Sequence, residues 1–158
     1  PPVHTGATQL PLLESGFMVT SPGAATQQFH RDVAPAVVSC SSVTASLQIS
    51  LVDTAANQGP LEIVPGSHNF DASVSDRSIL DDPATNKLPV AVPAGTVAMY
   101  ALHLIHRGTA NTHSADRLFF FFTLMGAGIC PPGLAYTIET GDIGRWQVQE
   151  GRLARGVA

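Results

Sequence analysis

The chain of 158 residues carries 12 acidic and 8 basic residues, a formal charge of −4, and is 44% hydrophobic and 13% charged. Soluble domains usually hold about 25% charged residues, and this apolar balance excludes a disordered polyelectrolyte. One lysine (Lys87) and scattered arginines exclude nucleic acid as the main partner, and the longest apolar run, Leu118 to Met125, is interrupted by Thr123 and falls short of a membrane span.

In chain order, Leu12–Thr20, Gln27–His30, Val43–Val52, Leu61–Val64, Leu88–Val92, Thr96–Leu102 and Leu118–Leu124 are rich in β-branched, aromatic and other apolar residues and predict short strands. Turn signals separate them at Ser21-Pro22-Gly23, Asn57-Gln58-Gly59-Pro60, Pro65-Gly66, Asp82-Pro83 and Pro93-Ala94-Gly95, and Pro131-Pro132-Gly133 follows the last. Within the third run, Leu47, Ile49 and Leu51 share one face. Phe119 to Phe122 are apolar on both faces, which predicts a strand clamped between two layers. Ser73–Leu80 and Asp142–Glu150 each predict a turn or two of helix, and no amphipathic pattern of twelve or more residues occurs. The pattern predicts a single all-β domain over 1–158, a double-sheet jelly roll. Cys40 and Cys130 lie outside any C-x-x-C pair and read as two buried thiols in a reducing compartment, the cytoplasm.

The chemistry-bearing residues are few. On an extended strand, residues i and i+2 share a face, so His30-Arg31-Asp32 presents an imidazole and a carboxylate side by side while Arg31 turns away. His106, ending the run Leu104-Ile105-His106, supplies a third ligand, and two histidines with one carboxylate make the facial triad of non-haem Fe(II) oxygenases. The kinase catalytic loop also contains His-Arg-Asp, but it needs Asn five residues after the Asp, where this chain has Val37. Arg117 follows His106 by eleven residues at the start of the Phe-rich strand. A buried arginine needs an anion, supplied either by a salt bridge to Asp116 or another surface acid, or by the distal carboxylate of a bound 2-oxoglutarate.

Four segments together resemble the phytanoyl-CoA dioxygenase family of Fe(II)/2-oxoglutarate-dependent oxygenases: Gln27 to Asp32, Asn57 to His68 with its G-P-L-x-x-x-P-G-S-H pattern, Val92 to Thr96, and His106 to Arg117. The resemblance spans roughly residues 20 to 125. It implies a double-stranded β-helix with His30, Asp32 and His106 on Fe(II), and Arg117, Gln27 and Ser67 as contacts of the cosubstrate 2-oxoglutarate, Ser67 having an equal alternative in closing its turn. It further implies oxidation, most simply hydroxylation, with O2 and release of succinate and CO2; Asp32 argues against halogenation, because related halogenases lack that carboxylate. Members often carry tryptophan where Gln48 stands, which makes this pocket wall more polar. Members also carry a longer stretch before the first ligand than the 29 residues here, so the expectation is a catalytic core lacking part of the family's N-terminal region.

The other histidines read as structural. His68 pins the P-G-S-H loop, His103 faces away from His106, His113 sits in a surface loop, and His4 lies near the N-terminus. Trp146 and Tyr136 read as covers for apolar surface. The low charge favours a neutral or apolar small-molecule substrate, a lipid or secondary metabolite, with no nucleic acid or membrane partner and a homodimer left open. Two alternatives use the same residues: a zinc-dependent hydrolase on a cupin-like barrel, and a non-catalytic module that binds metal and 2-oxoglutarate.

Overall fold

The computed structural model describes residues 10–33, 44–70, 72–125, 146–149 and 152–155. Nine strands are found among them: β1 (Leu10–Thr20), β2 (Thr44–Ser50), β3 (Leu61–Ile63), β4 (Leu88–Val90), β5 (Val97–Ala101), β6 (His106–Gly108), β7 (Arg117–Met125), β8 (Trp146–Gln149) and β9 (Arg152–Arg155). They form a larger sheet in the order β5-β2-β7-β1-β8-β9 and a smaller one in the order β4-β3-β6. The predicted all-β jelly roll is the observed architecture. Among the described residues, no helix is long and apolar enough to cross a membrane.

β7 is the spine of the larger sheet. It runs antiparallel to β1 from Leu12 opposite Leu124 to Thr20 opposite Arg117, and antiparallel to β2 from Thr44 opposite Met125 to Ser50 opposite Phe119. Because side chains alternate, Arg117, Phe119, Phe121 and Thr123 of β7 share one face with Glu14 and Met18 of β1, Ser46 and Gln48 of β2, and Tyr100 of β5, and all of these line one cavity. The other face carries Phe17, Val19, Val97 and Met99, each more than half exposed.

That second face corrects one expectation. Phe119 is buried as predicted, but Phe120 on the opposite side packs its ring 5.1 Å from Phe17, which is itself 72% exposed. No second layer covers this face among the described residues; the apolar outer side chains pack laterally on one another.

The smaller sheet is widened by the segment ending in His30. Gln27 N–H donates to Gly108 O at 2.9 Å, and His30 and His106 exchange both backbone hydrogen bonds. Gln27–His30, predicted as a strand, therefore lies along β6 but joins it at an isolated bridge. His106 opens β6 rather than ending a strand, because the residues before it turn: Leu104 N–H donates to Ala101 O. The helix predicted over Ser73–Leu80 is α1 (Asp76–Asp81), with Ser75 Oγ accepting the Ser78 N–H as its N-cap. The helical turn predicted over Asp142–Glu150 is not formed at 146–149. Those residues are β8, held by a register that sets Trp146 opposite Arg155 and Gln149 opposite Arg152. Between the sheet and α1, Val64, Ile79 and Ile105 form a small core with Phe29, Val74 and Leu80 packed against it. Cys40, Cys130, His4 and Tyr136 lie outside the described residues.

Candidate active site

His30, Asp32 and His106 come together, their ligand atoms all within 4.8 Å of one another. His30 Nε2 lies 3.8 Å and His106 Nε2 3.6 Å from Asp32 Oδ1. The backbone sets both rings. Nδ1 of His30 donates to Gln28 O and Nδ1 of His106 to Leu104 O, each at 2.9 Å. A carbonyl only accepts, so both imidazoles carry a proton at Nδ1 and turn Nε2 toward Asp32. Backbone hydrogen bonds of this kind orient metal-ligating histidines.

Alternation along the chain handles the residues between the ligands. Arg31 turns away from the cluster, donating to Asp76 Oδ1 at 2.7 Å, to Ser67 O at 3.1 Å and to His103 O. Arg107 follows His106 and pairs with Glu62 at 2.6 Å, its guanidinium over the Phe29 ring. The two strands thus put three acceptors inward and two paired cations outward.

Burial pushes the Asp32 carboxyl up from the ordinary aspartate value despite the pull of His106 and His30, and burial also pushes the His106 imidazole down. Two imidazole Nε2 atoms converge within 3.6 to 3.8 Å of one carboxylate oxygen, a donor set that a divalent cation can share. The donor set is that of a facial triad with open positions, so the residues fit the metal.

Arg117 is 6% exposed and opens onto the same cavity, of about 230 Å³. Its Nη1 donates to Gly59 O at 2.6 Å, and its guanidinium sits 4.4 Å from the Phe119 ring centroid. Among the described residues no carboxylate lies within ion-pair distance of it. The salt bridge to Asp116 is therefore not formed: the carbonyl of Asp116 accepts from Gln58 Nε2 instead. Burial lowers the Arg117 pKa to about 10, with Tyr100 pulling the other way. A guanidinium this dry, lacking an anion and facing a metal-ligand cluster, fits a carboxylate-bearing ligand.

The loop segments quoted above build the seat for Arg117. Gly59 has φ 69° and offers the carbonyl that Arg117 uses; a Cβ there would stand 3.0 Å from Thr109 O. Asn111 is fully buried, its Nδ2 donating to Thr20 O and Ala115 O and its Oδ1 accepting from His113 N–H.

Gln27 lines the cavity, and its Oε1 accepts the Gly108 N–H at 2.7 Å. Ser67 does not line it. Its Oγ accepts the Ile105 N–H at 2.8 Å in a fully buried turn, which is the loop-closing alternative of the two expected for it. His68 and His103 pack ring to ring at 6.0 Å away from the triad, and His113 Nδ1 accepts the Ala115 N–H beside a separate cavity.

Residue-by-residue reading missed Tyr100, Ser46, Thr123 and Glu14. The Tyr100 ring lies 5.1 Å from that of His106, its hydroxyl accepts from Gln48 Nε2 at 2.8 Å, and burial with the nearby Asp32 charge raises its pKa to about 12. Only the cross-strand register brings these four together, and register is not written in local sequence.

A jelly roll with this triad and a cavity-facing arginine is the architecture of the non-haem Fe(II)/2-oxoglutarate-dependent oxygenases. Residues 3–119 match the family model for phytanoyl-CoA dioxygenase (PhyH), and the chain belongs to that family. Among solved structures, AviO1 from Streptomyces viridochromogenes Tue57 is similar at TM-score 0.67 and 23% identity, over 78% of this chain and 54% of that one. The non-heme alpha ketoglutarate dependent carbocyclase SnoK from nogalamycin biosynthesis is similar at TM-score 0.64 and 23% identity, over 76% of this chain and 51% of that one. The epimerase SnoN in complex with Fe3+, alpha ketoglutarate and nogalamycin RO is similar at TM-score 0.62 and 17% identity, over 85% and 64%. At these identities the likeness establishes the fold, and the chain spans about half the length of AviO1 and SnoK. No curated protein matches the chain in sequence.

Proposed function

We propose that the protein is an Fe(II)- and 2-oxoglutarate-dependent dioxygenase that hydroxylates an apolar or neutral small molecule and releases succinate and CO2. The observation that carries this reading is Arg117: a buried guanidinium with no carboxylate partner among the described residues, sharing one cavity with His30, Asp32 and His106. Family membership supports it. Fe(II) with 2-oxoglutarate and O2 supplies the oxidising power for breaking a C–H bond. The chain's own part is positional. His30, Asp32 and His106 would hold the metal. Arg117 fixes the far carboxylate of the cosubstrate, its donors already aimed by Gly59 O and the Phe119 ring. Phe119 and Phe121 line the wall and keep water from the reacting centre. A zinc hydrolase on the same triad would leave Arg117 without a role.

Anaerobic titration with Fe(II) and 2-oxoglutarate tests this directly. The expected result is a weak visible charge-transfer absorption, absent in Arg117→Ala, and succinate release in air. A parent protein that binds metal but shows neither the absorption nor any 2-oxoglutarate affinity overturns the reading.

A further inference from the structure

The proposed chemistry uses one end of the cavity and leaves the other unexplained. At that far end four polar residues from four strands stand in a row: Tyr100 of β5 opposite Ser46 of β2, Ser46 opposite Thr123 of β7, and Thr123 opposite Glu14 of β1. All four line the cavity. Thr123 lies six positions beyond Arg117 on β7, about 20 Å along the strand, so Thr123 and Glu14 stand well beyond the Arg117 anchor of the diacid. The metal ligands do lie beside it, since the Tyr100 ring packs 5.1 Å from His106.

Glu14 is the anomaly in the row. β1 carries a bulge between Leu12 and Glu14, where the pairing steps from Leu12 opposite Leu124 to Glu14 opposite Thr123. The extra residue buries both Leu12 and Leu13 and aims Glu14 into the cavity. Its Oε2 accepts from Thr123 Oγ1 at 3.0 Å, and among the described residues no cation lies within ion-pair distance. Burial and the Asp32 charge both raise its pKa above the ordinary glutamate value. With one hydroxyl donor and no cation among the described residues, this cavity-facing carboxyl keeps acceptor capacity that is unused. As a tie between β1 and β7 it is redundant, because the backbone ladder already joins those strands from Leu12 to Thr20.

We propose that Glu14 selects the substrate: it accepts a hydrogen bond from a hydroxyl or amino group of the bound molecule and so orients that molecule beside His30, Asp32 and His106. This rests on the oxygenase reading and narrows its substrate class from neutral or apolar compounds to those carrying a donor group a short distance from the oxidised carbon. The shared chemistry is the donor, and its two sources, an alcohol and an amine, are separable.

The test uses three probes of one chain length, 1-hexanol, n-hexylamine and methyl pentyl ether. Their affinities are measured by ligand-observed NMR on the whole protein, with and without Zn(II) and 2-oxoglutarate. The parent is expected to bind one or both donor probes about tenfold more tightly than the ether, the scale of one hydrogen bond to a charged group. Glu14→Gln, which keeps an acceptor for Thr123, is expected to lose most of an amine preference and part of an alcohol preference. Glu14→Leu is expected to abolish both, and if it fails to fold, the Gln variant still decides. A preference for hexylamine alone assigns an ammonium substrate, and for hexanol alone an alcohol. Equal affinity for all three probes in the parent, or a preference that survives in the variants, overturns the proposal. Failure of the parent to bind 2-oxoglutarate overturns the oxygenase reading instead, and the metal-free arm still reads the role of Glu14.

Discussion

The two faces of the larger sheet are built by the same strands to opposite ends. The inner face is unusually polar for a buried one: Arg117, Thr123, Ser46 and Gln48 stand there, and Glu14 and Tyr100 complete it. The outer face is unusually apolar for an open one, with Phe17 72% and Met99 71% exposed. A sheet whose purpose was stability would reverse this, placing its greasy side chains where they can be buried. Among the described residues, apolar burial is carried by Leu12, Leu13, Leu102 and Phe119 and by the Val64–Ile79–Ile105 cluster, and the polar inner face is left for the site.

The sharpest way to break this contrast is through the inner face. Asp32→Ala or His106→Ala removes one of three converging ligands and is expected to lower affinity for Fe(II) or Zn(II) by about 100-fold or more, read by isothermal titration, with the folded signal retained. Next comes Arg117→Ala. Removing one partner of a buried charge pair costs about 2–5 kcal/mol, so 2-oxoglutarate affinity is expected to fall by roughly 100-fold while metal affinity stays within about twofold. Arg117→Lys restores little, because a point charge cannot reproduce the planar fork. Equal losses of metal and 2-oxoglutarate in Arg117→Ala would mean that the inner face is one structural unit rather than two binding devices.

Acid gives a smaller effect. In the metal-free protein, burial lowers the pKa of His106 and of His103, the latter helped by His68 and Arg31. The unfolded chain then takes up protons that the folded one refuses, starting near the ordinary imidazole value of about 6.5. Stability contributed by these two groups is present above that value and is lost as pH falls through their lowered folded values. Glu14 and Asp32 are raised instead, so they weaken the fold at neutral pH and return stability at still lower pH, as protons bind the folded state first. Thermal melts of metal-free protein are expected to drop between pH 7 and 5.5. Excess Zn(II), which competes with the proton at His106, should shrink the drop, whereas His103→Asn should remove its own share without touching metal affinity.

What was legible in the sequence follows from how local each feature is. His30 and Asp32 share a face because two residues of extended chain put them there, and Arg117 stood out because a cation in an apolar strand demands an anion. The triad needed only one distant partner, His106. Glu14 gave no such signal: it reaches the cavity through a bulge and a pairing with Thr123 more than a hundred positions away. Trp146–Gln149 misled for the same reason. Its strand state depends on Arg152–Arg155 as partner, which the local pattern over Asp142–Glu150, read as a turn or two of helix, does not show. Ser67 was legible only as a choice between two roles, because its hydroxyl's partner, the Ile105 N–H, lies 38 positions away.

The smallest expected effect lies on the outer face and probes the contrast from its other side. Phe17 is mostly exposed and its chief apolar contact is the Phe120 ring at 5.1 Å; an aromatic pair of this kind contributes about 0.5–1.5 kcal/mol. Phe17→Ser is therefore expected to cost about 1 kcal/mol in denaturant unfolding and to leave metal and 2-oxoglutarate affinity unchanged. Phe119→Ala, four percent exposed on the inner face and under the Arg117 guanidinium, should cost about 3–5 kcal/mol and weaken 2-oxoglutarate as well. If Phe17→Ser instead cost as much as Phe119→Ala, the outer face would have to be covered in the folded protein. Its exposed phenylalanine and methionine would then be a second core rather than a bare surface.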